Sequence, residues 1–204
     1  MNDPQIRSAF HQTFLKTEHF ESNTLIVDEL GIKHGKCRAD IAVINKQLNG
    51  FEIKSDNDSL TRLMNQIEHY NTIFDYISII VVKRHLKDVM HLIPTWWGVI
   101  LVESDQLGKL YFREIRSHHR NETVNDYSVA QLLWHNEAQE ILIKIGVQGA
   151  QLREKRSNLY MYLIENLPSQ ELRSIVREYL KKRRGWRDHE RLFLYDDSFP
   201  PNAR

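Results

Sequence analysis

The stretch CRADIAVINKQLNGFEIKS, Cys37 to Ser55, reads as a β-hairpin, with two apolar runs separated by a polar turn that contains Asn49 and Gly50. Asp40, Glu52 and Lys54 stand inside its strands, where charged residues are unusual. Side chains alternate across a strand, so Ile41 and Val43 share one face while Asp40 and Ala42 share the other. In the second arm Phe51 and Ile53 share a face, and Glu52 and Lys54 point the opposite way. With a turn centred near Lys46 and Gln47, Asp40 falls opposite Glu52 to Lys54, at a cross-strand Cβ separation of roughly 4.5–5.5 Å. Two carboxylates and an ammonium therefore converge on one sheet face.

Outward from the hairpin, the order of elements is that of an α/β (α+β) chain. Asp3 to about Phe20 reads as a first helix, with Ile6, Phe10, Phe14 and Leu15 on one face and Pro4 in its first turn. TLIVDELGI is a β-branched run ending at Gly31, and KHGKCR is a turn. The hairpin arms are expected at Arg38 to Ile44 and Gly50 to Lys54. After them Asp58 is placed to cap a helix whose apolar series is Leu60, Leu63, Met64, Ile67, Tyr70 and Phe74. YISIIVV is nearly continuous in apolar residues, as a buried strand is. GVILVES and KLYFREIR form two more strands around the turn DQLG, which makes the sheet mixed. From Tyr127 the periodicity becomes helical, over Ser128 to Ile145, about Gly149 to Asn166, and Ser169 to Lys182. This gives a core over residues 1–120, a C-terminal helical subdomain over 121–190 and an irregular tail over 191–204.

The bulk numbers restrict the function classes. At 204 residues, 41% hydrophobic and 27% charged, the chain has the balance of a globular protein with one substantial core. Its longest apolar stretches are strand-sized, so no membrane span is expected. The N-terminus lacks a basic start followed by an apolar segment, and a cytoplasmic location is the expectation. The lone Cys37 allows no internal disulfide and no cysteine metal cluster. A formal net charge of +1 argues against binding polyanions over the whole surface. Basic residues do concentrate in REYLKKRRGWRDHER, where Lys181, Lys182, Arg183 and Arg184 form the densest run. That run suits a helix end with cations favoured by the macrodipole, or a patch that contacts phosphates.

The charged hairpin face admits two readings. An exposed face with an Asp/Lys ion pair needs no catalysis, and the pattern D-x(11)-E-x-K is short. Alternatively, two converging carboxylates make a hard-oxygen site for Mg²⁺ or Mn²⁺, with the Ile53 carbonyl as a further donor. Lys54 is then placed to orient a water or to stabilise charge on a phosphoryl group. Glu29, which interrupts LIVDELGI, offers a third carboxylate near the same end of the sheet. Gln66 and Tyr70 stand four apart and share a helix face, with Arg62 one turn earlier.

RAD, then FEIK, then QIEHY resembles the PD-(D/E)xK nuclease superfamily, with Asp40 as the hairpin aspartate and Glu52-Ile53-Lys54 as the ExK element. Gln66 and Tyr70 match the Q-x-x-x-Y signature of its RecB-like branch. The text from about Glu29 to Trp186 is most similar to a bacterial family of restriction-endonuclease-like proteins. Ala39 stands where the superfamily motif has proline. The resemblance implies a mixed sheet flanked by helices and a divalent ion held by Asp40 and Glu52. It also implies Lys54 beside the attacking water, with Gln66 and Tyr70 near the site or the substrate backbone. Superfamily members usually take their upstream acid from the first helix, whereas Glu29 reads on or just after a strand.

The expected function is metal-dependent phosphodiester hydrolysis, in DNA rather than RNA, with Lys181, Lys182, Arg183, Arg184 and Arg62 contacting substrate. A homodimer is compatible with this reading. The alternative is a non-catalytic nucleic-acid- or protein-binding module of a bacterial defence or regulatory system on the same fold. A nuclease toxin or an RNA-directed enzyme is a third outcome.

Overall fold

The computed structural model describes residues 1–183. Six strands form one sheet in chain order: β1 (Leu25–Ile32), β2 (Cys37–Ile44), β3 (Leu48–Lys54), β4 (Tyr76–Val82), β5 (Gly98–Ser104) and β6 (Leu110–Arg116). The β1/β2, β2/β3 and β5/β6 pairs are antiparallel, while β3/β4 and β4/β5 are parallel. The mixed sheet expected from the sequence is present. So are helices around it: α1 (Asp3–Thr13), α2 (Lys16–Phe20), α3 (Leu63–Tyr70), α4 (Lys83–Leu92), α5 (Asp126–Ala130), α6 (His135–Lys144), α7 (Arg156–Asn166) and α8 (Ser169–Lys182). No helix among the described residues is long and apolar enough to cross a membrane.

Alternation sends the two faces of the hairpin into different cores. Ile41, Val43, Phe51 and Ile53 join Ile80, Val82, Ile100 and Val102 under Ile6, Phe10 and Leu15 from the N-terminal helices. Phe10 meets Phe51 edge-on, with ring centroids 5.2 Å apart. On the opposite face Ala42, Ile44, Leu48, Ile79, Val81 and Val99 share one apolar cluster with α3 and with Leu142, Leu163, Val176 and Leu180 of the C-terminal helices. Burying both faces of β4 follows from its near-continuous apolar composition.

Several boundaries differ from the sequence reading. The turn is Asn45 to Gln47, held by the Asn45 side chain accepting from the Gln47 N–H at 2.9 Å, and Asn49 and Gly50 lie within β3. Gly50 is there for space: a Cβ would come within 3.0 Å of the Phe74 ring. Asp58 does not cap α3; it accepts from the Ser55 N–H (2.8 Å) and hydroxyl (2.6 Å), tying off a turn, and the helix begins at Leu63. Met64 consequently faces solvent. The first helix breaks after Thr13, and the helix expected over Ser128 to Ile145 is two, α5 and α6. Helix α4 has no counterpart in the sequence reading. Its short apolar series, ending at Pro94, is diluted by Lys83, Arg84, His85, Lys87, Asp88 and His91. Trp97 is fully buried and donates from Nε1 to Asn71 Oδ1 at 2.9 Å.

Strands β4 and β5 approach closely at Gly98, which pairs with Ser78. A Cβ on Gly98 would overlap the Ser78 hydroxyl, itself buried and 3.1 Å from His118 Nδ1. Gly98→Ala is expected to lower the unfolding free energy by about 1–3 kcal/mol, as overpacking does. Adding Ser78→Ala should restore part of that loss. Urea denaturation of the two single variants and the double variant measures this coupling.

Candidate functional site

The site is organised by one buried carboxylate. Glu52, on β3, is only 1% exposed. Lys54 Nζ donates to its Oε1 at 2.6 Å, and Gln66 Nε2 donates to the same oxygen at 2.6 Å. The Gln66 amide oxygen in turn accepts from Lys54 Nζ at 3.1 Å. Glu52, Lys54 and Gln66 thus close a ring of charge-assisted hydrogen bonds. Tyr70 Oη lies 2.6 Å from Glu52 Oε2 and 2.6 Å from the Arg38 carbonyl, and its single proton serves one acceptor at a time. Burial, and then the charge of Glu52, push the Tyr70 phenol well above its ordinary pKa. Gln66 and Tyr70 reach Glu52 together because positions i and i+4 share one face of α3.

Asp40 lies across the hairpin on β2, one position beyond the Ile41–Phe51 pair. Its Oδ2 accepts from the Ile53 N–H at 2.7 Å. Arg7 of α1 donates from Nη1 to the Asp40 carbonyl, and its Nη2 lies 3.4 Å from Asp40 Oδ1. The same guanidinium lies 3.0 Å from Glu29, 3.0 Å from Asp3 and 3.7 Å from Asp28. Burial and then the neighbouring Glu52 push the Asp40 carboxyl up to about 8, although Ile53 and Arg7 pull the other way. Burial outweighs the pull of Arg7, whose charge is also shared with Asp3, Asp28 and Glu29.

Asp40, Glu52, Lys54 and Gln66 line a cleft of about 390 Å³, together with Asp3, Glu29, Lys36, Arg38, Asp58 and Arg62. Among the described residues no set of three or more His, Cys, Asp and Glu side chains is arranged to hold a metal. Mg²⁺ does not need such a set, since it commonly takes one or two carboxylates and keeps its waters. Asp40 and Glu52 fit that demand. Glu52 raises the cost of charge on Asp40, and each carboxylate has about four acceptor sites, of which the chain's own donors use only some. The Ile53 carbonyl is the further oxygen the sequence singles out.

A family model described as bacteriophage P4 protein cII matches residues 1–196. The chain belongs to this family. Protein cII of Enterobacteria phage P4 is 25% identical over 162 residues, which is 79% of this chain and 60% of that protein. The chain thus spans less than two thirds of the length of this curated relative. Two solved structures are similar more loosely. One is SPO1766, a protein of unknown function from Silicibacter pomeroyi, with TM-score 0.44, 11% identity and coverage of 74% of this chain and 97% of that one. The other is SfsA of Pyrococcus furiosus in complex with Ca²⁺, with TM-score 0.36, 13% identity and coverage of 57% and 65%. Likeness at this level does not transfer function.

In this member of the cII family the structure brings together Asp40, Glu52, Ile53, Lys54, Gln66 and Tyr70, with Glu29 and Arg62 at the same cleft. Glu29 sits within β1 at φ 55°, a left-handed conformation that costs a non-glycine residue about 1–2 kcal/mol. Lys181, Lys182 and Arg183 of the basic run do not line this cleft. Arg183 is buried, donates to Glu137 from Nε at 2.7 Å and from Nη2 at 2.5 Å, and lies 4.2 Å from the centroid of the Trp134 ring. Its charge holds α6 to the end of α8, which corrects its expected place among substrate contacts. Lys181 pairs with Glu178 at 2.7 Å and donates to Asn23 at 2.6 Å, and exposed Lys182 lies over the Tyr179 ring. Arg184 lies outside the described residues. Sequence reasoning missed Arg7 and Asp3, although their i,i+4 spacing on a helix was a usable signal.

The raised Asp40 pKa sets an expected pH dependence for the metal-free protein. Its folded-state value lies above the ordinary 3.8, so the folded chain binds the proton more tightly than the unfolded one. That stabilisation is complete below about pH 4 and is lost as pH rises towards about 8. Melting temperatures measured in EDTA across this window should fall with a slope that Asp40→Asn flattens. An unchanged slope in the variant would assign the titration to another group.

Proposed function

We propose that the cleft is a PD-(D/E)xK-type nuclease site that hydrolyses phosphodiester bonds, in DNA rather than RNA, with Mg²⁺ or Mn²⁺. The observation that carries this reading is the convergence of Lys54, Gln66 and Tyr70 on Glu52, with Asp40 beside it on the neighbouring strand. Asp40, Glu52 and the Ile53 carbonyl would hold the metal, which would polarise the scissile phosphate and acidify a bound water. Gln66 and Tyr70 fix the Glu52 carboxylate so that it does not reorganise when substrate arrives. Lys54, locked between Glu52 and Gln66, presents a cation at a fixed place for an attacking water or a developing phosphoryl charge. Exposed Arg62 and Arg38 at the cleft supply contacts for the strand's phosphates.

A second reading, a non-catalytic nucleic-acid- or protein-binding module, draws support from the internal pairing of the same groups. Both Glu52 oxygens already accept from the chain, and Arg7 already supplies a cation to Asp40. In that case the ring of hydrogen bonds serves the fold and the basic rim serves binding.

The two readings separate in one set of assays. The nuclease reading expects cleavage of single- or double-stranded DNA with Mg²⁺ or Mn²⁺ and none in EDTA. It expects Asp40→Asn, Glu52→Gln and Lys54→Gln each to lower the rate by about 10²-fold or more with circular dichroism unchanged. Cleavage that persists in EDTA and in all three variants would sink it. Tight binding in EDTA with no cleavage under any metal would establish the second reading.

A further inference from the structure

A second cleft, of about 490 Å³, opens at the other end of the hairpin. It lies between the β2–β3 turn, the start of β4 and the first turns of α8, and its walls carry Lys46, Arg120, Arg173 and Arg177 against one acid, Asp75. The turn residues and Lys54 stand at opposite ends of β3, about 20 Å apart along a strand of this length. The cleft is thus separate from the Glu52 site.

The four cations are not equally committed. Arg173 is held by Asp126 at 2.6 Å and by the Val124 carbonyl at 2.9 Å. Arg177 has only a long pairing, 3.8 Å from Asp75 Oδ2, and the same Asp75 oxygen already accepts from the Leu48 N–H at 2.8 Å. Its side chain is 16% exposed, and its guanidinium makes no hydrogen bond among the described residues. Burial draws its pKa down from the ordinary value, although Asp75 and Glu178 act the other way. Lys46 and Arg120 are exposed and carry no ion pair or hydrogen bond among the described residues. A fixed Arg177 in the wall and two unpaired cations at the rim gather more positive charge than the one acid, Asp75, balances.

We infer that this cleft is a phosphate-binding site, taking the phosphate groups of a nucleotide or of a nucleic-acid strand. The size fits: small-ligand sites run to roughly 300–1,000 Å³. Guanidinium forks match phosphate oxygens in pairs, and a lysine adds a point charge. A strand bound here would lie about 20 Å from the Glu52 cleft and would be held whether or not that cleft cleaves it. The inference therefore does not rest on the nuclease reading.

The test uses the full chain in EDTA at low salt, with inorganic pyrophosphate followed by calorimetry and a fluorescein-labelled single-stranded oligonucleotide followed by polarisation. Lys46→Gln/Arg120→Gln is the variant of choice, because both side chains are exposed and unpaired and their loss should leave the melting temperature within a few degrees. The expected result is binding of at least one probe by the wild-type chain, weakened about tenfold or more in the double variant and unchanged in Glu52→Gln. Weakened pyrophosphate binding identifies a small phosphate ligand; an effect confined to the oligonucleotide identifies a strand backbone. If neither probe loses affinity in the double variant, the inference is overturned.

Discussion

A carboxylate buried to 1% exposure in the middle strand of a sheet must be paired, and the pairing of Glu52 constrains much of the fold around it. Lys54 is two residues away on the same face of β3, so the ammonium reaches Oε1 without any help from the rest of the chain. The remaining acceptor capacity calls on α3, whose Gln66 and Tyr70 arrive one turn apart. Helix α3 is therefore anchored to the sheet by polar as well as apolar contacts, through Leu63 and Ile67 on one side and the Glu52 ring on the other. Removing one member of a buried pair of this kind costs about 3–5 kcal/mol, because the other charge is left behind. The same feature that makes the site chemically suggestive also makes it part of the structure.

The second constraint is the crowding of acids around Asp40. Asp3, Asp28, Glu29 and Asp40 gather about one guanidinium, that of Arg7. Burial first, and then the charge of Glu52, keep the Asp40 carboxyl near the neutral form at ordinary pH. At the opposite end of β3 cations are in excess, with Lys46, Arg120, Arg173 and Arg177 against Asp75. A net charge of +1 conceals this local excess.

The central part of the site was legible because it is built from short-range rules. Strand alternation and a turn near Lys46 put Asp40, Glu52 and Lys54 on one face, and i,i+4 spacing put Gln66 with Tyr70. The hidden parts depend on long-range packing. Arg7 reaches Asp40 from 33 positions away in the chain. Arg183 belongs to a visibly basic run, yet it turns inwards because Glu137 and Trp134, 46 and 49 positions earlier by residue number, form a socket for it. Charge counting treats every lysine and arginine of that run alike, and only the packing of α6 against α8 separates them.

By itself, the sequence determined the mixed sheet, the charged hairpin face and the partners that α3 brings to it, since periodicity acts over a few residues and needs no knowledge of the remainder. The tertiary structure alone decided that Asp40 would share Arg7 with three other acids and that Glu29 would adopt a left-handed backbone at the rim. It also decided that a basic cleft would form where the β2–β3 turn meets α8. These depend on which distant segments meet, and that is set by burying the two apolar faces of the sheet together rather than by any local pattern.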